Sequence, residues 1–201
     1  AEGKPLYEAD AELLVSLRPT LIVTQAQCDV CAIKYEDVLR IVAATPELKD
    51  VPVVALNPHS LDDVVADLER IAQAAGAAEA GREEAKKLQE RIDAVCQQAT
   101  NIPHEEQPRV ACIEWTDPLM LAANWLPEMV AIAGGRHDLT GPGVHSKYAS
   151  WQNVFDYNPQ VMILMPCGFP LTRALAEGKK LSQLEGWSSL AAVKNDRVFA
   201  V

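Results

Sequence analysis

Two cysteines, Cys28 and Cys31, stand three positions apart at the end of a polar stretch that follows the short apolar run at residues 21–23. This spacing suits a redox-active dithiol at a helix N-terminus, and a helical pattern begins soon afterwards at Tyr35. It also suits a pair of thiolate zinc ligands, although no second Cys-x-x-Cys pair supports a zinc site. The remaining interpretations are a loop that lines a ligand cleft, with or without a disulfide, and simple packing of the two side chains.

Two further loops place an aromatic residue at the predicted end of a strand. One contains Trp115 and Asp117, and the other contains Cys167, Gly168 and Phe169. Tryptophan usually fills a core, but Trp115 directly ends an apolar run, where a ligand-facing role is expected. Gly168 permits close backbone approach, and Phe169 is either a ligand platform or a plug between helices. The other candidate ligand-binding residues are Gln25, Gln27, Asp29, Trp125 and Tyr148.

No residues with the spacing of catalytic machinery accompany these loops. The sequence has no recognisable Ser/His/Asp motif and no glycine-rich loop for phosphate, so no catalytic residue and no enzyme activity are predicted. His59 and His145 have no partner at metal-ligand spacing and are expected to be surface or capping residues. No metal site and no required cofactor are therefore predicted.

Composition limits the class of partner. The 201 residues carry a formal net charge of −10, which argues against binding to nucleic acid or to anionic membranes. No apolar run approaches the ~18 residues of a membrane span, and no signal peptide is visible. Five cysteines leave at least one unpaired within the chain.

The apolar pattern predicts an α/β protein of two lobes joined by one long helix. Continuous apolar runs, typical of buried parallel strands, lie near residues 20–24, 52–56, 109–114, 160–165 and 197–201. Amphipathic stretches between them predict helices on both sides of the sheets, including one from about Ala80 to Thr100. We expect a first lobe at 1–79, a linking helix at 80–101 and a second lobe at 102–201. The three candidate loops follow strand ends and are expected to converge on one cleft.

Several motifs resemble those of the cobalamin-binding branch of the periplasmic substrate-binding proteins of ABC transporters. They are Leu17–Gln25, Cys28–Ala32, Glu114–Leu119, Trp125–Val130, Ala133–Gly135, Val161–Phe169 and Trp187. The resemblance covers nearly the whole chain. It implies an extracytoplasmic protein that holds a corrinoid such as cobalamin between its lobes and delivers it to a membrane permease. The indole faces and the few polar groups named above suit a wide apolar ring edged with amides.

The resemblance also assigns roles outside the cleft. Glu36 and Glu128 each lie near a helix start, where they either compensate the helix dipole or pair with permease arginines. His145 is a further candidate as a ligand of cobalt. Alternatives to corrinoid binding are a siderophore or metal-chelate binding protein, and a thiol oxidoreductase that uses Cys28 and Cys31.

Members of that branch extend beyond this chain at both ends, so we expect the first lobe to be incomplete. Only two strands, near 20–24 and 52–56, are available for its sheet, and both are predicted to be buried on two faces. A two-stranded parallel sheet leaves such strands uncovered. We therefore expect self-association through residues 1–60, which light scattering across a dilution series would detect.

Overall fold

The computed structural model describes residues 8–27 and 32–201. The helices are α1 (Ala11–Leu17), α2 (Tyr35–Ala44), α3 (Leu61–Ala74), α4 (Ala78–Ala99), α5 (Leu126–Ile132), α6 (Trp151–Tyr157), α7 (Leu171–Leu181) and α8 (Ala191–Lys194). The strands are β1 (Ile22–Gln25), β2 (Val53–Leu56), β3 (Val110–Thr116), β4 (Leu119–Leu121), β5 (Lys147–Tyr148), β6 (Val161–Leu164) and β7 (Val198–Ala200). Short 3₁₀ helices cover His104–Glu106 and Trp187–Ser189.

The chain divides into two compact units. One contains Ala1–Pro58 and Asp62–Gln89, and the other contains His59–Leu61 and Glu90–Val201. The division falls inside α4, the 22-residue helix predicted from its amphipathic pattern. The predicted α/β class with mainly parallel sheets is confirmed. No helix in the described part of the chain is long and apolar enough to span a membrane.

The N-terminal unit contains a sheet of only two parallel strands, β1 and β2. Its core consists of Val38 and Val42 on α2, together with Leu48, and Ile22 and Val53 of the sheet pack against them. The prediction that both strands are buried on two faces is wrong. Every residue of β2 is only half-buried and Val23 of β1 is 44% exposed, because no further described strand covers the edges of this sheet. Self-association through residues 1–60 stays a prediction.

Helices α3 and α4 approach closely at Gly81. A Cβ atom added to this residue would lie 2.2 Å from Cβ of Ala72 and 3.3 Å from the carbonyl oxygen of Leu68. Both neighbours belong to α3, and the helix backbone cannot move aside as a flexible side chain can. The absence of a side chain at position 81 therefore sets the distance between these helices.

We expect Gly81→Ala to lower the free energy of unfolding of the N-terminal unit by about 1–2 kcal/mol. The added methyl group would overlap Cβ of Ala72, so the cost of overpacking is expected in the upper part of the usual range, about 2–3 kcal/mol, and the better helix propensity of alanine offsets about 1 kcal/mol. Hydrogen exchange in a urea series, followed by mass spectrometry of peptides from α2 and α3, measures the change in this unit. Adding Ala72→Gly should restore packing, and Glu83→Ala, at an exposed position of the same helix, serves as the control. A Gly81→Ala protein as stable as the wild type would contradict the close contact.

The C-terminal unit is built on a five-stranded sheet of order β5-β4-β3-β6-β7. Strands β3, β6 and β7 are parallel, with Val110 opposite Val161 and Met162 opposite Val198. Alternate residues of β3 face two different core clusters: Ala111 and Ile113 lie in one, and Val110 and Cys112 lie in the other. The first cluster includes side chains of α6, α7 and α8, and the second includes Val130 of α5. Cover on both faces explains why residues 110–113 of β3 and all of β6 are apolar.

Two strands of this sheet were not predicted. The sequence pattern predicts a largely helical segment over residues 119–133, but the helix begins at Leu126, because Leu119–Leu121 turns back as β4 and pairs antiparallel with β3. The Gly-, His- and Pro-rich segment at residues 139–148 is predicted to be a loop, but it ends in β5, which pairs with β4. Leu119 and Leu121 alternate with Met120 between core and half-exposed positions, a pattern too short to predict a strand from sequence. The parallel βα units remain as predicted.

His137 fastens the chain after α5 to two parts of this sheet. Its side chain is 5% exposed, and its two ring nitrogens each lie 2.9 Å from a backbone carbonyl oxygen, Nδ1 from Val110 and Nε2 from Ala122. Thr140 adds a hydrogen bond from its hydroxyl to the same Ala122 oxygen at 2.7 Å. These side-chain contacts tie the start of the loop that precedes β5 to the amino end of β3 and to the residue that follows β4.

Candidate ligand-binding site

The carboxyl ends of β3 and β6 lie side by side in the C-terminal unit. The Met165 backbone amide donates to the Ile113 carbonyl oxygen at 2.9 Å, and the Cys167 backbone amide donates to the Glu114 backbone carbonyl oxygen at 3.3 Å. The parallel ladder thus continues past the last residue of β6 and carries the following loop alongside β3. As a result Trp115 and Phe169 meet, with ring centroids 4.9 Å apart and planes at 63°. Edge-to-face packing of this kind is the preferred geometry of aromatic pairs.

The aromatic pair is held from both sides. The Trp115 indole N–H donates to the carbonyl oxygen of Asp117 at 3.0 Å, which fixes the orientation of the indole. The Arg173 guanidinium carbon lies 3.6 Å from the centroid of the Phe169 ring. Both rings remain half-exposed. Gly168 adopts φ +73°, and a Cβ atom added there would meet no atom within 4 Å, so the space beside Phe169 is open. We name Trp115, Phe169 and Arg173 the aromatic platform.

The residues behind the platform form polar pairs. Ser146 donates from its hydroxyl to the Glu114 carboxylate and accepts a hydrogen bond from the Ala123 amide at 3.2 Å. Glu114 precedes Trp115 in β3, so this network joins the strand that carries the indole to the loop before β5. The backbone amide of Asn124 donates to the Val144 oxygen at 2.7 Å and strengthens the same connection.

A second polar group lies on α7. The Glu177 carboxylate accepts hydrogen bonds from Lys180 at 2.7 Å and from the Thr116 hydroxyl at 3.5 Å. The hydrogen bond from Lys180 is the main cause that lowers the pKa of Glu177, and the positive charge of Arg173 adds to it. Glu177 is therefore ionised and paired at neutral pH, and it connects α7 to the end of β3.

Of the other predicted site residues in the C-terminal unit, Asp117 contacts the platform through its carbonyl oxygen, whereas Trp125 and Tyr148 lie further away along the chain. Trp125 is half-buried at the N-cap of α5. Tyr148 lies on the edge strand β5 and is 68% exposed. Asp117 is exposed in the turn between β3 and β4. His59 and His145 form an edge-to-face ring pair with centroids 5.3 Å apart. This pairing could not be predicted from the sequence, because the two residues are far apart along the chain.

Glu36 and Glu128, which are predicted to contact a permease, differ in how far their carboxylates are engaged within their own units. Glu36 is exposed in the first turn of α2. Glu128 is in the first turn of α5, and its carboxylate accepts a hydrogen bond from the Leu61 amide at 2.7 Å. Both therefore occupy helix starts, as expected from the sequence, but Glu128 already serves one backbone donor within its own unit.

The candidates in the N-terminal unit bond to its backbone. The Gln25 side chain donates to the Ile33 oxygen at 3.2 Å and accepts from the Gln27 amide at 2.8 Å. The Gln27 side chain donates to the Pro58 oxygen at 2.6 Å. Both amides thus shape the loops after β1 and β2. The predicted site residues Cys28, Asp29 and Cys31 lie outside the described residues.

Sequence reasoning missed Arg173, Glu114, Ser146 and Glu177. Arg173 could have been found, because it lies four residues after Phe169 and just inside a predicted helix. Glu114 and Ser146 are 32 residues apart, and no local pattern announces their contact. Within residues 8–27 and 32–201, no three His, Cys, Asp or Glu side chains lie close enough together to hold a metal ion.

The cysteines of the C-terminal unit are expected to differ sharply in reactivity. Burial raises the pKa of Cys112 to about 11, whereas Cys167 is exposed beside the platform. The thiolate is the reactive form, so at about pH 8 only roughly a thousandth of Cys112 would be ionised even if reagent could reach it. In a protein with Cys28, Cys31 and Cys96 replaced by serine, we expect one thiol to react with Ellman's reagent before denaturation and a second only after it. Loss of the first reaction in Cys167→Ser identifies the site; rapid native reaction of two thiols would contradict the burial of Cys112.

The fold and sequence match known proteins over nearly the whole chain. A family model described as Periplasmic binding protein matches residues 5–201. The periplasmic heme-binding protein RhuT from Roseiflexus sp. RS-1 superposes with a TM-score of 0.72 at 25% identity, over 96% of this chain and 70% of that one. The vitamin B12 binding protein BtuF of Vibrio cholerae has a TM-score of 0.65 at 20% identity, over 94% of this chain and 68% of that one.

A curated relative gives a shorter match. The high-affinity heme uptake system protein IsdE of Staphylococcus aureus is 24% identical over 121 residues, which is 58% of this chain. The match spans 41% of that relative's own length.

Proposed function

Because the chain belongs to the periplasmic binding protein family, we propose that it binds a corrinoid such as cobalamin and delivers it to the membrane permease of an ABC importer. Proteins of this family bind small molecules and work with ABC permeases outside the cytoplasm. The corrinoid is the specific part of the proposal. Its main support is the aromatic platform at the carboxyl ends of β3 and β6, the edge of an α/β sheet where ligands bind.

The chemistry of the platform suits a flat, largely apolar ring. Trp115 and Phe169 offer half-exposed ring surface that is already fixed by an indole hydrogen bond and by edge-to-face packing. Fixed aromatic side chains lose little conformational entropy when a ligand arrives. The open space beside Gly168 leaves room for a ring to approach the backbone. The likeness in fold to a vitamin B12 binding protein agrees with this assignment.

Calorimetric titration with cyanocobalamin, hemin and a ferric siderophore tests the proposal. The corrinoid should bind most tightly, and protein purified after incubation with it should retain the visible corrin absorption band. Binding of cyanocobalamin should also slow the modification of Cys167, which lies two residues from Phe169. Tight binding of another ligand with no heat from cyanocobalamin would refute the corrinoid assignment.

A metal chelate such as heme is the second candidate ligand. It is favoured by the 25% identity to a heme-binding protein, which extends over 96% of this chain. A porphyrin is also flat and apolar and would use the same aromatic platform. His145, whose ring packs edge-to-face on that of His59, would supply an imidazole ligand to the metal of such a chelate. A Soret shift lost in His145→Ala would support that role.

The remaining parts of the proposal concern location and partners. We place the protein outside the cytoplasm, with Glu36 as the exposed acidic contact for the permease and Glu128 as a second contact in the other unit. We propose a binding role without catalysis. Reduction of insulin by the Cys28–Cys31 dithiol would instead support the thiol oxidoreductase alternative.

A further inference from the structure

Arg173 has a position that the packing of the protein does not require. Its side chain is exposed and lies flat enough on Phe169 to bring the guanidinium carbon 3.6 Å from the ring centroid. Among the described residues, no carboxylate lies within ion-pair distance of its guanidinium. The nearby Glu177 carboxylate instead takes its short hydrogen bond from Lys180. Arg173 thus keeps its hydrogen-bond donors available while stacking fixes the plane of the group.

Among the described residues, the charge of Arg173 interacts with Glu177, one turn further along α7, but that carboxylate is already hydrogen-bonded to Lys180 and Thr116. Arg173 is in the first turn of α7, and that turn contains no acidic residue. The N-terminus of a helix carries partial positive charge, so a cation there is disfavoured and an anion is favoured. An arginine fixed on an aromatic face at such a point is consistent with a site that is completed by an external anion.

We infer that Arg173 recognises an oxyanion, a carboxylate or a phosphodiester, on the periphery of a flat ligand that lies against Trp115 and Phe169. The inference rests on the proposed function and adds a requirement to it: the ligand is a ring that carries a negative group. A guanidinium presents paired N–H donors that match both kinds of oxyanion. Cyanocobalamin carries a phosphodiester in its nucleotide loop, heme carries propionate carboxylates, and cobinamide has the corrin ring and amides without the phosphodiester.

Titration of the full chain with these three ligands separates the roles of ring and anion. We expect Arg173→Gln to weaken cyanocobalamin or hemin binding roughly 10- to 100-fold, the effect of losing a hydrogen bond to a charged group, and to change cobinamide binding less than about twofold. Arg173→Lys should recover part of the affinity because it keeps the charge. The matched control is Arg197→Gln, which removes the same charge at the amino end of β7, the opposite edge of the parallel strands.

The possible results are distinct. Equal losses for cobinamide and cyanocobalamin would show that Arg173 only positions Phe169, and would overturn the inference, as would unchanged affinity for both anionic ligands. If the wild type bound hemin but not cyanocobalamin, the corrinoid assignment would be refuted. The effect of Arg173→Gln on hemin binding would then still test the anion site. If the wild type bound none of the three ligands, the proposed function would fail and the inference with it.

Discussion

Replacing Trp115 with alanine is expected to weaken corrinoid binding by about 1–3 kcal/mol, a ~5- to 150-fold rise in Kd. The indole supplies apolar contact area at the end of β3, and its loss also removes the ring against which Phe169 packs at 4.9 Å. The indole is half-exposed, so the folded protein should tolerate the change better than it tolerates loss of a core residue. Calorimetric titration with cyanocobalamin measures the effect.

Two controls separate the contact from a general effect on folding. Trp115→Phe keeps an aromatic face and should retain most of the affinity. Phe199→Ala removes an aromatic ring that is 52% exposed from β7, and this ring is not part of the platform. Equal Kd values for Trp115→Ala and the wild type would remove Trp115 from the binding site.

Replacing His137 with leucine should lower the free energy of unfolding of the C-terminal unit by about 1–3 kcal/mol, because an imidazole with one N–H donates to only one of the two carbonyl oxygens beside it. Leucine is of similar size but cannot contact the carbonyl oxygens of Val110 and Ala122, which each lie 2.9 Å from a ring nitrogen. A buried acceptor left without a donor costs ~1–3 kcal/mol. The Thr140 hydroxyl still serves the Ala122 oxygen, so the total is expected below the sum of two full losses.

Tryptophan fluorescence in a urea titration follows this unit alone, because all four tryptophans, Trp115, Trp125, Trp151 and Trp187, belong to it. His104→Leu, which removes an exposed histidine from the same unit, is the control. An unchanged transition midpoint in His137→Leu would mean that the two carbonyl contacts contribute nothing to stability. Signals from the two units need separate probes, since a protein of two units need not unfold in one step.

Much of the fold could be predicted because a buried parallel strand is marked by a short run of apolar residues that can be identified from the local sequence alone. Residues 110–113 of β3 and all of β6 are apolar, and the structure covers both faces of these segments. Strand β4 was missed because its three residues acquire their conformation from pairing with β3, which a short pattern cannot express. The exposure of Val23 was missed because burial depends on how many strands surround β1.

In the candidate site, too, some contacts could be predicted from the sequence and others depend on the tertiary structure. The proximity of Trp115 and Phe169 could be expected, since the carboxyl ends of parallel strands meet at one edge of a sheet. The stacking of Arg173 and the network of Glu114 with Ser146 could not, because they depend on side-chain directions and on a connection 32 residues long. Polar side chains that look available in a sequence, such as Gln25 and Gln27, are engaged by the backbone of their own loops.

The rate at which a thiol reagent modifies Cys112 reports on the opening of the C-terminal unit under native conditions. Its side chain is 1% exposed and packs in the cluster that includes Ala122 and, on α5, Val130, so a thiol reagent reaches it only when this cluster opens. When reclosing is fast compared with modification, the labelling rate measures the equilibrium between the closed and the open cluster. A ligand that binds only the closed form reduces that rate by the factor 1 + [L]/Kd. The labelling rate of Cys112 can therefore measure the occupancy of the site by colourless ligands, which have no visible absorption band to follow.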